Sequence, residues 1–176
     1  MLGVTLKLQE EHITIERLRG SLDWDIIRVE AGGALDNDFV MSQLRLLKDF
    51  VISCHFRKEE LYIFPLLKRG GSDVMELERR LERDHEEVKR LVSQAESSWV
   101  NGDLEGFVSQ LRRLSELLKD HQNVENSVAF AYAEMYADDN EKERLLNEMN
   151  SIDDEPPCRP ESVDAAIGYL YSVIEG

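Results

Sequence analysis

Apolar residues recur at helical spacing along nearly the whole chain, and before residue 137 only short breaks containing glycine interrupt them. Gly32-Gly33, Gly70-Gly71-Ser72 and Asn101-Gly102-Asp103 are those breaks, and Asp138-Asp139-Asn140 is a weaker one further on. Between them lie stretches at roughly 5–31, 36–69, 73–100 and 103–137, each long enough for a helix of many turns. In the second, the inward positions read Leu44, Leu47, Val51, Ile52, His55, Glu59, Tyr62, Ile63 and Leu66. In the fourth, two heptad rows appear: Leu104, Leu111, Leu118, Glu125, Tyr132 and Phe107, Leu114, His121, Val128, Met135. Long amphipathic helices joined by short connections predict an all-α, up-down-up-down four-helix bundle. The bundle is expected over 1–150. Glu141 to Met149 reads as a short helix or an extension of the fourth, and Asp36 or Asn37 as a helix cap. The remainder, 151–176, reads as a linker interrupted by Pro156, Pro157 and Pro160, then a short amphipathic helix from Ser162 to Glu175. That helix docks on the bundle or on a second copy of the chain.

Polar residues interrupt these apolar stripes at matched places. The chain has 4 histidines, and His12, His55, His85 and His121 fall one to each long segment. Two of them open a His-x-x-x-Glu pair, His55 with Glu59 and His121 with Glu125, which puts each pair on one helix face. From His12 to the end of its helix is about 20 residues, and from the start of the next to His55 about 19. The second turn is flanked by about 14 and 12, the third by about 16 and 18, so each mismatch in height is on the order of 3 Å or less. All four histidines therefore fall in one layer of an antiparallel bundle. Helical side chains lean toward the N-terminus, which brings both carboxylates back toward the imidazoles.

One His-x-x-x-Glu is a weak signal, since most copies are solvated surface pairs. The conjunction is stronger: a core-facing stripe covers about 3/7 of a helix, so four histidines all land on stripes by chance roughly 3% of the time. Imidazoles and carboxylates in an apolar layer are costly unless something satisfies them, and a dinuclear metal centre does so. Nitrogen and oxygen donors of this kind suit iron, with manganese or zinc as substitutes.

The segment His55-Phe-Arg-Lys-Glu-Glu-Leu-Tyr-Ile-Phe-Pro-Leu-Leu resembles the second-helix signature of the hemerythrin-like, or HHE cation-binding, family. Arg83-Asp84-His85-Glu86-Glu87 resembles its third-helix signature. The resemblance covers residues 5–137 and implies a non-haem di-iron centre: two iron ions with His12, His55, His85 and His121 as terminal ligands. Glu59 and Glu125 would bridge them along with an oxo or hydroxo group. The family's oxygen carriers have a further histidine where Lys89 stands, and their last carboxylate follows its histidine by five residues rather than four. This set is closer to the di-iron proteins of iron–sulfur cluster repair, and to the hemerythrin-like domain of an iron-sensing ubiquitin-ligase subunit. It implies binding of, or reaction with, dioxygen, nitric oxide or peroxide, with an electron-donor protein as a further partner. The alternative is an iron- or oxygen-sensing or iron-handling module without turnover. An additional carboxylate, Glu16 or Glu86, is a candidate to close an open position. Both are read first as surface residues, as Lys89 is read first as reaching for solvent. Tyr62, Tyr132, Phe56 and Phe64 read as packing residues.

Asp and Glu number 36 against 21 Lys and Arg, a formal charge of −15. That surface repels phosphate backbones and anionic lipids, which excludes general nucleic-acid or membrane-surface binding. No apolar run approaches the roughly 18 residues a membrane helix needs. The opening residues do not read as a signal peptide, and 2 cysteines, Cys54 and Cys158, far apart in sequence, are not expected to pair. The expected compartment is the reducing cytoplasm, and the expected state a monomer or homodimer. No nucleophile triad, phosphate-cradling glycine loop or zinc-finger spacing is present.

Overall fold

The computed structural model describes residues 3–176. It is helical, with α1 at Leu6–Glu30, α2 at 37–67, α3 at Ser72–Val100, α4 at 104–136, α5 at Asp139–Asp153 and α6 at Pro160–Glu175. Helices α1 to α4 form the antiparallel bundle, with α3 lying along α4 and α4 along α1. Local chemistry sets the breaks. Gly32 and Gly102 close α1 and α3 with φ of 79° and 74°, a conformation in which a side chain would be strained. Asp36, Asp103 and Asp138 cap α2, α4 and α5 by accepting the backbone N–H of Phe39, Gly106 and Glu141 at 3.1, 2.9 and 2.9 Å.

The second and fourth helices are not uniform α-helix. Leu47–Phe56 and Glu59–Ile63 in α2, and Glu125–Ala129 in α4, are π-helical. The reason is legible in the burial. Leu47, Val51, His55, Glu59, Ile63 and Leu67, each four residues apart, are all at most 1% exposed. In a strict α-helix every four-residue step turns about 40° beyond a full revolution, so such a row would wind off the core face. Widened i→i+5 turns absorb that drift and keep the row inward. The same happens in α4, where His121, Glu125, Ala129 and Ala133 are buried. This corrects the heptad row expected there: Val128 and Met135 are exposed at 42% and 70%, because the π turn carries the inward face one residue onward.

The apolar core is in two parts. One contains Ile15, Leu22, Val51, Val88, Leu111 and Leu118; the other contains Leu8, Ile63, Leu81, Ala129 and Phe130. On every long helix the division falls at the histidine. The end of the chain differs from expectation more. Residues 141–149 belong to a separate helix, α5, which runs on to Asp153, and the expected linker is a short 3-10 turn, Pro156–Cys158, with Cys158 buried. Cys158 is joined to Cys54 in a disulfide, with the two Cα atoms 5.6 Å apart. The expectation of unpaired cysteines is thereby overturned. The inference to a reducing compartment rested on it and loses its support, because disulfides persist where the environment oxidises. Spacing of 104 residues hides such a pair, since only the fold brings α2 and the turn after α5 together. Helix α6 then packs on α1 and α2 through Val163, Ile167 and Leu170. No helix among the described residues is long and apolar enough to cross a membrane.

Far from the histidine layer, Asp25 is fully buried beside Gln43, and neither its carboxyl oxygens nor the Gln43 Oε1 has a hydrogen-bond partner among the described residues. Burial pushes the Asp25 carboxyl up to about 7, against a weaker downward pull from Gln43. The folded state thus binds a proton that the unfolded chain, with an ordinary value near 3.8, has given up. The stability this contributes is full below pH 3.8 and is lost as pH rises through 7. Asp25→Asn keeps the shape without the charge. It should raise the melting temperature by about 4 °C or more at pH 8 and leave it unchanged at pH 4, as read by circular dichroism.

Candidate metal centre

The histidines of the long helices meet in one layer, all at most 4% exposed, with Glu59 and Glu125 fully buried beside them. Two groups of four residues form there, His12, His55, Glu59, Glu125 and Glu59, His85, His121, Glu125. Each offers ligand atoms within 4.8 Å of one another. Both carboxylates belong to both groups. Glu59 places Oε1 2.9 Å from His55 Nε2 and Oε2 3.0 Å from His85 Nε2. Glu125 places Oε2 3.1 Å from His12 Nε2 and Oε1 3.0 Å from His121 Nε2. Nε2 of His12 lies 3.1 Å from that of His55, and Nε2 of His85 lies 3.2 Å from that of His121. Adjacent ligands about 2 Å from a common ion sit about 3 Å apart, so each group has donor atoms at a spacing that suits a bound cation.

The outward ring nitrogens explain why the Nε2 atoms face inward. His55 Nδ1 donates to Glu11 at 2.7 Å, His85 Nδ1 to Glu60 at 2.8 Å, His121 Nδ1 to Asp84 at 3.2 Å and His12 Nδ1 to the Asn126 carbonyl at 2.8 Å. Carboxylate and amide oxygens only accept, so Nδ1 carries the proton and a neutral ring presents a bare Nε2 lone pair to the centre. There it faces carboxylate oxygens that also have only lone pairs, and none of the four oxygens of Glu59 and Glu125 has a hydrogen-bond partner among the described residues. Only cations reconcile these atoms, either protons or metal ions. The titration of the groups is consistent with this. Burial alone would lower His55, but Glu59 and Glu11 raise it from 6.5 to about 10. Against the same burial effect, Glu125 and Glu59 raise His12, and Glu125 and Asp84 raise His121. Burial would raise Glu59, but His55 and its neighbours hold it well below 4.5. Phe56 stacks on His85 with ring centroids 3.7 Å apart, and Phe130 on His12 at 5.3 Å, which fixes both imidazole planes.

Sequence reasoning named the inner residues and missed the outer ones. Their signal was local: each sits next to an inner residue in sequence but serves a neighbouring helix. Glu11 precedes His12 and holds His55; Asp84 precedes His85 and holds His121; Glu60 follows Glu59 and holds His85; Asn126 follows Glu125 and holds His12. The arrangement repeats with an approximate two-fold relation between α1–α2 and α3–α4. Lys89 reaches neither into the layer nor freely into solvent, since its ammonium pairs with Glu86 at 2.8 Å and Glu60 at 3.3 Å. Glu16 is engaged by Arg19, and Glu86 is exposed and held by Lys89, so neither carboxylate joins the cluster. Phe56 and Phe64 are more than helix packing, because both rings lie against His85.

A family model described as "Hemerythrin HHE cation binding domain" matches residues 5–133, which contain all of these inner and outer residues. No curated protein and no solved structure matches the chain.

Proposed function

Since the chain belongs to the hemerythrin HHE cation-binding domain family, we propose that its buried layer holds two iron ions and that the protein binds or reacts with dioxygen, nitric oxide or peroxide. The observation that carries this reading is the shared pair of carboxylates: one oxygen of Glu59 and one of Glu125 falls in each group of donors. In this reading His12 and His55 would hold one ion and His85 and His121 the other, with Glu59 and Glu125 available to both. Bound iron supplies Lewis acidity and electrons for small oxidising ligands. The chain's own residues set the conditions. Glu11, Glu60, Asp84 and Asn126 fix each ring with Nε2 inward and, by accepting the Nδ1 proton, make Nε2 a stronger donor. Phe56, Phe64 and Phe130 surround the imidazoles with apolar surface and exclude bulk water. Lys89 has no lone pair to offer, so the His85–His121 half keeps the same donor count as the His12–His55 half. Equal donor sets would supply chemistry suited to reaction with a small ligand rather than to oxygen carriage, and a role in oxidative or nitrosative stress is part of this reading.

A second reading, an iron-sensing or iron-handling module without turnover, is supported by the partnerless carboxylate oxygens, which tie the integrity of the layer to its cations. Anaerobic reconstitution with iron(II), elemental analysis and stopped-flow absorbance after mixing with each ligand separate the two. The expected result is two iron ions per chain, with consumption of at least one of the three ligands. Iron uptake without consumption supports the sensing reading, and a chain that takes up no stoichiometric metal overturns both.

A further inference from the structure

The four outer partners of the histidines are not equally anchored. Asp84 is 18% exposed, little more than Glu11 at 13%, but pairs with no cation besides His121 among the described residues; Glu60 is more exposed and pairs with the half-exposed Lys89, and Asn126 is exposed and uncharged. Glu11 is different. Its Oε2 accepts from His55 while its Oε1 pairs with Lys58, a lysine with 0% exposure. Lys58 pairs in turn with Oδ1 of Asp153, at the end of α5, and Oδ2 of Asp153 pairs with Lys7. A continuous chain of charge-assisted contacts thus runs from His55 through Glu11 and Lys58 to Asp153. Asp153 lies beyond residues 5–133, outside the family domain. A second, independent tie reaches the same turn. Cys158 follows α5 and is bonded to Cys54, the residue before His55, whereas Lys58 is three residues after it. The segment after the bundle therefore grips the His55 turn on either side, and among the described residues no buried ion pair of this kind backs His85 or His121.

We propose that Asp153 and Lys58 are positioning residues for the His12–His55 half of the centre. In this role the segment 139–158, clamped by the disulfide, makes the two metal positions unequal: firmly held at His12–His55, more readily exchanged at His85–His121. The proposal rests on the two-ion reading above. A buried lysine between two carboxylates cannot relax without leaving unpaired charge, so Glu11 is confined to one position and the His55 ring with it. Glu60 and Asp84 have no buried counter-ion of this kind among the described residues and keep more freedom.

The test is release of iron(II) from the anaerobically loaded protein to a colorimetric chelator. The parent should release metal in two phases of equal amplitude. Asp153→Asn and Lys58→Met should each accelerate the slow phase about tenfold and leave the fast phase within about twofold. Asp84→Asn should act on the fast phase instead. The doubly substituted Cys54→Ala/Cys158→Ala protein retains every charge, and should accelerate the slow phase in the same sense by about threefold; it decides the matter if the charge variants do not fold. In the cobalt(II)-substituted protein, the paramagnetically shifted Nδ1–H signal of His55 should move in Asp153→Asn while that of His121 stays, which a general loss of stability would not produce. A parent that binds two ions and releases them in one phase overturns the proposal, as does equal acceleration of both phases. A parent that fails to bind two ions would instead overturn the two-ion reading.

Discussion

Glu59→Gln should leave the chain with less than half its metal, and Glu125→Gln should do the same, although each alters a single side chain. Each carboxylate has one oxygen about 3 Å from a histidine in one half and the other as near a histidine in the other half. Glutamine puts an NH₂ at one of those oxygens, and that nitrogen has no lone pair to donate. It also removes one of two buried negative charges that offset the cations. The loss is thus felt in both halves, whereas His121→Ala removes a donor from one half only. Glu60→Gln should be intermediate. By helical spacing Glu60 lies one residue, about 100°, round from Glu59 and so off the His55 face. In the fold it accepts from His85 Nδ1 at 2.8 Å, and its carboxyl is held below the usual range by His85 and Lys89. Its amide would still accept that proton but lose the charge, with an expected cost of about tenfold in affinity for one ion. Elemental analysis of reconstituted variants, followed by chelator competition, measures the series. Full retention of two ions in Glu59→Gln would place the bridge elsewhere.

The bundle and the buried layer of histidines and glutamates were legible in the sequence because periodicity and height are one-dimensional quantities. Counting residues from His12, His55, His85 and His121 to the nearest break was enough to put them in one layer. The outer partners were not legible, because each lies on a helix adjacent in space to the histidine it serves. Glu11 before His12 looks like an ordinary surface acid until the twist of α1 against α2 aims it at His55. The π turns were hidden for another reason. Rows at seven-residue spacing, such as His121, Val128, Met135, fit an α-helix. The four-residue row His121, Glu125, Ala129, Ala133 requires i→i+5 turns, and the small alanines made it the weaker apolar pattern. Lys58 was invisible because a lysine beside Glu59 and Glu60 reads as a solvated charge. Only the return of α5 places Asp153 against it and accounts for its complete burial. The cysteine pair belongs with this last group, since both ties depend on how the chain folds back after residue 138.

Loading with metal should abolish the fall in stability with pH that the metal-free protein shows above pH 6.5. In the metal-free protein, the buried carboxylates are balanced by protons on the imidazoles, with His55 raised to about 10 and His12 and His121 raised as well. A histidine raised in the fold contributes stability that is complete below its unfolded value of 6.5 and is lost as pH climbs through the folded value. Glu59, held low, contributes stability above its ordinary 4.5 that is lost on acidification. The metal-free protein should therefore melt highest between about pH 4.5 and 6.5 and weaken steadily toward pH 10. A metal ion competes with those same protons for the Nε2 lone pairs, so its binding strengthens as pH rises over that range. Each proton displaced changes the stabilisation by about 1.4 kcal/mol per pH unit, or about 3–6 °C in melting temperature for a chain of this size. The gap between loaded and metal-free melting curves should widen by at least that amount per pH unit between 6.5 and 9, most steeply if all three raised histidines give up their protons together. Circular dichroism melts of both forms across this range measure it. Parallel curves would mean that the ions do not replace protons on these rings, and the layer would then have to be satisfied by the protons alone.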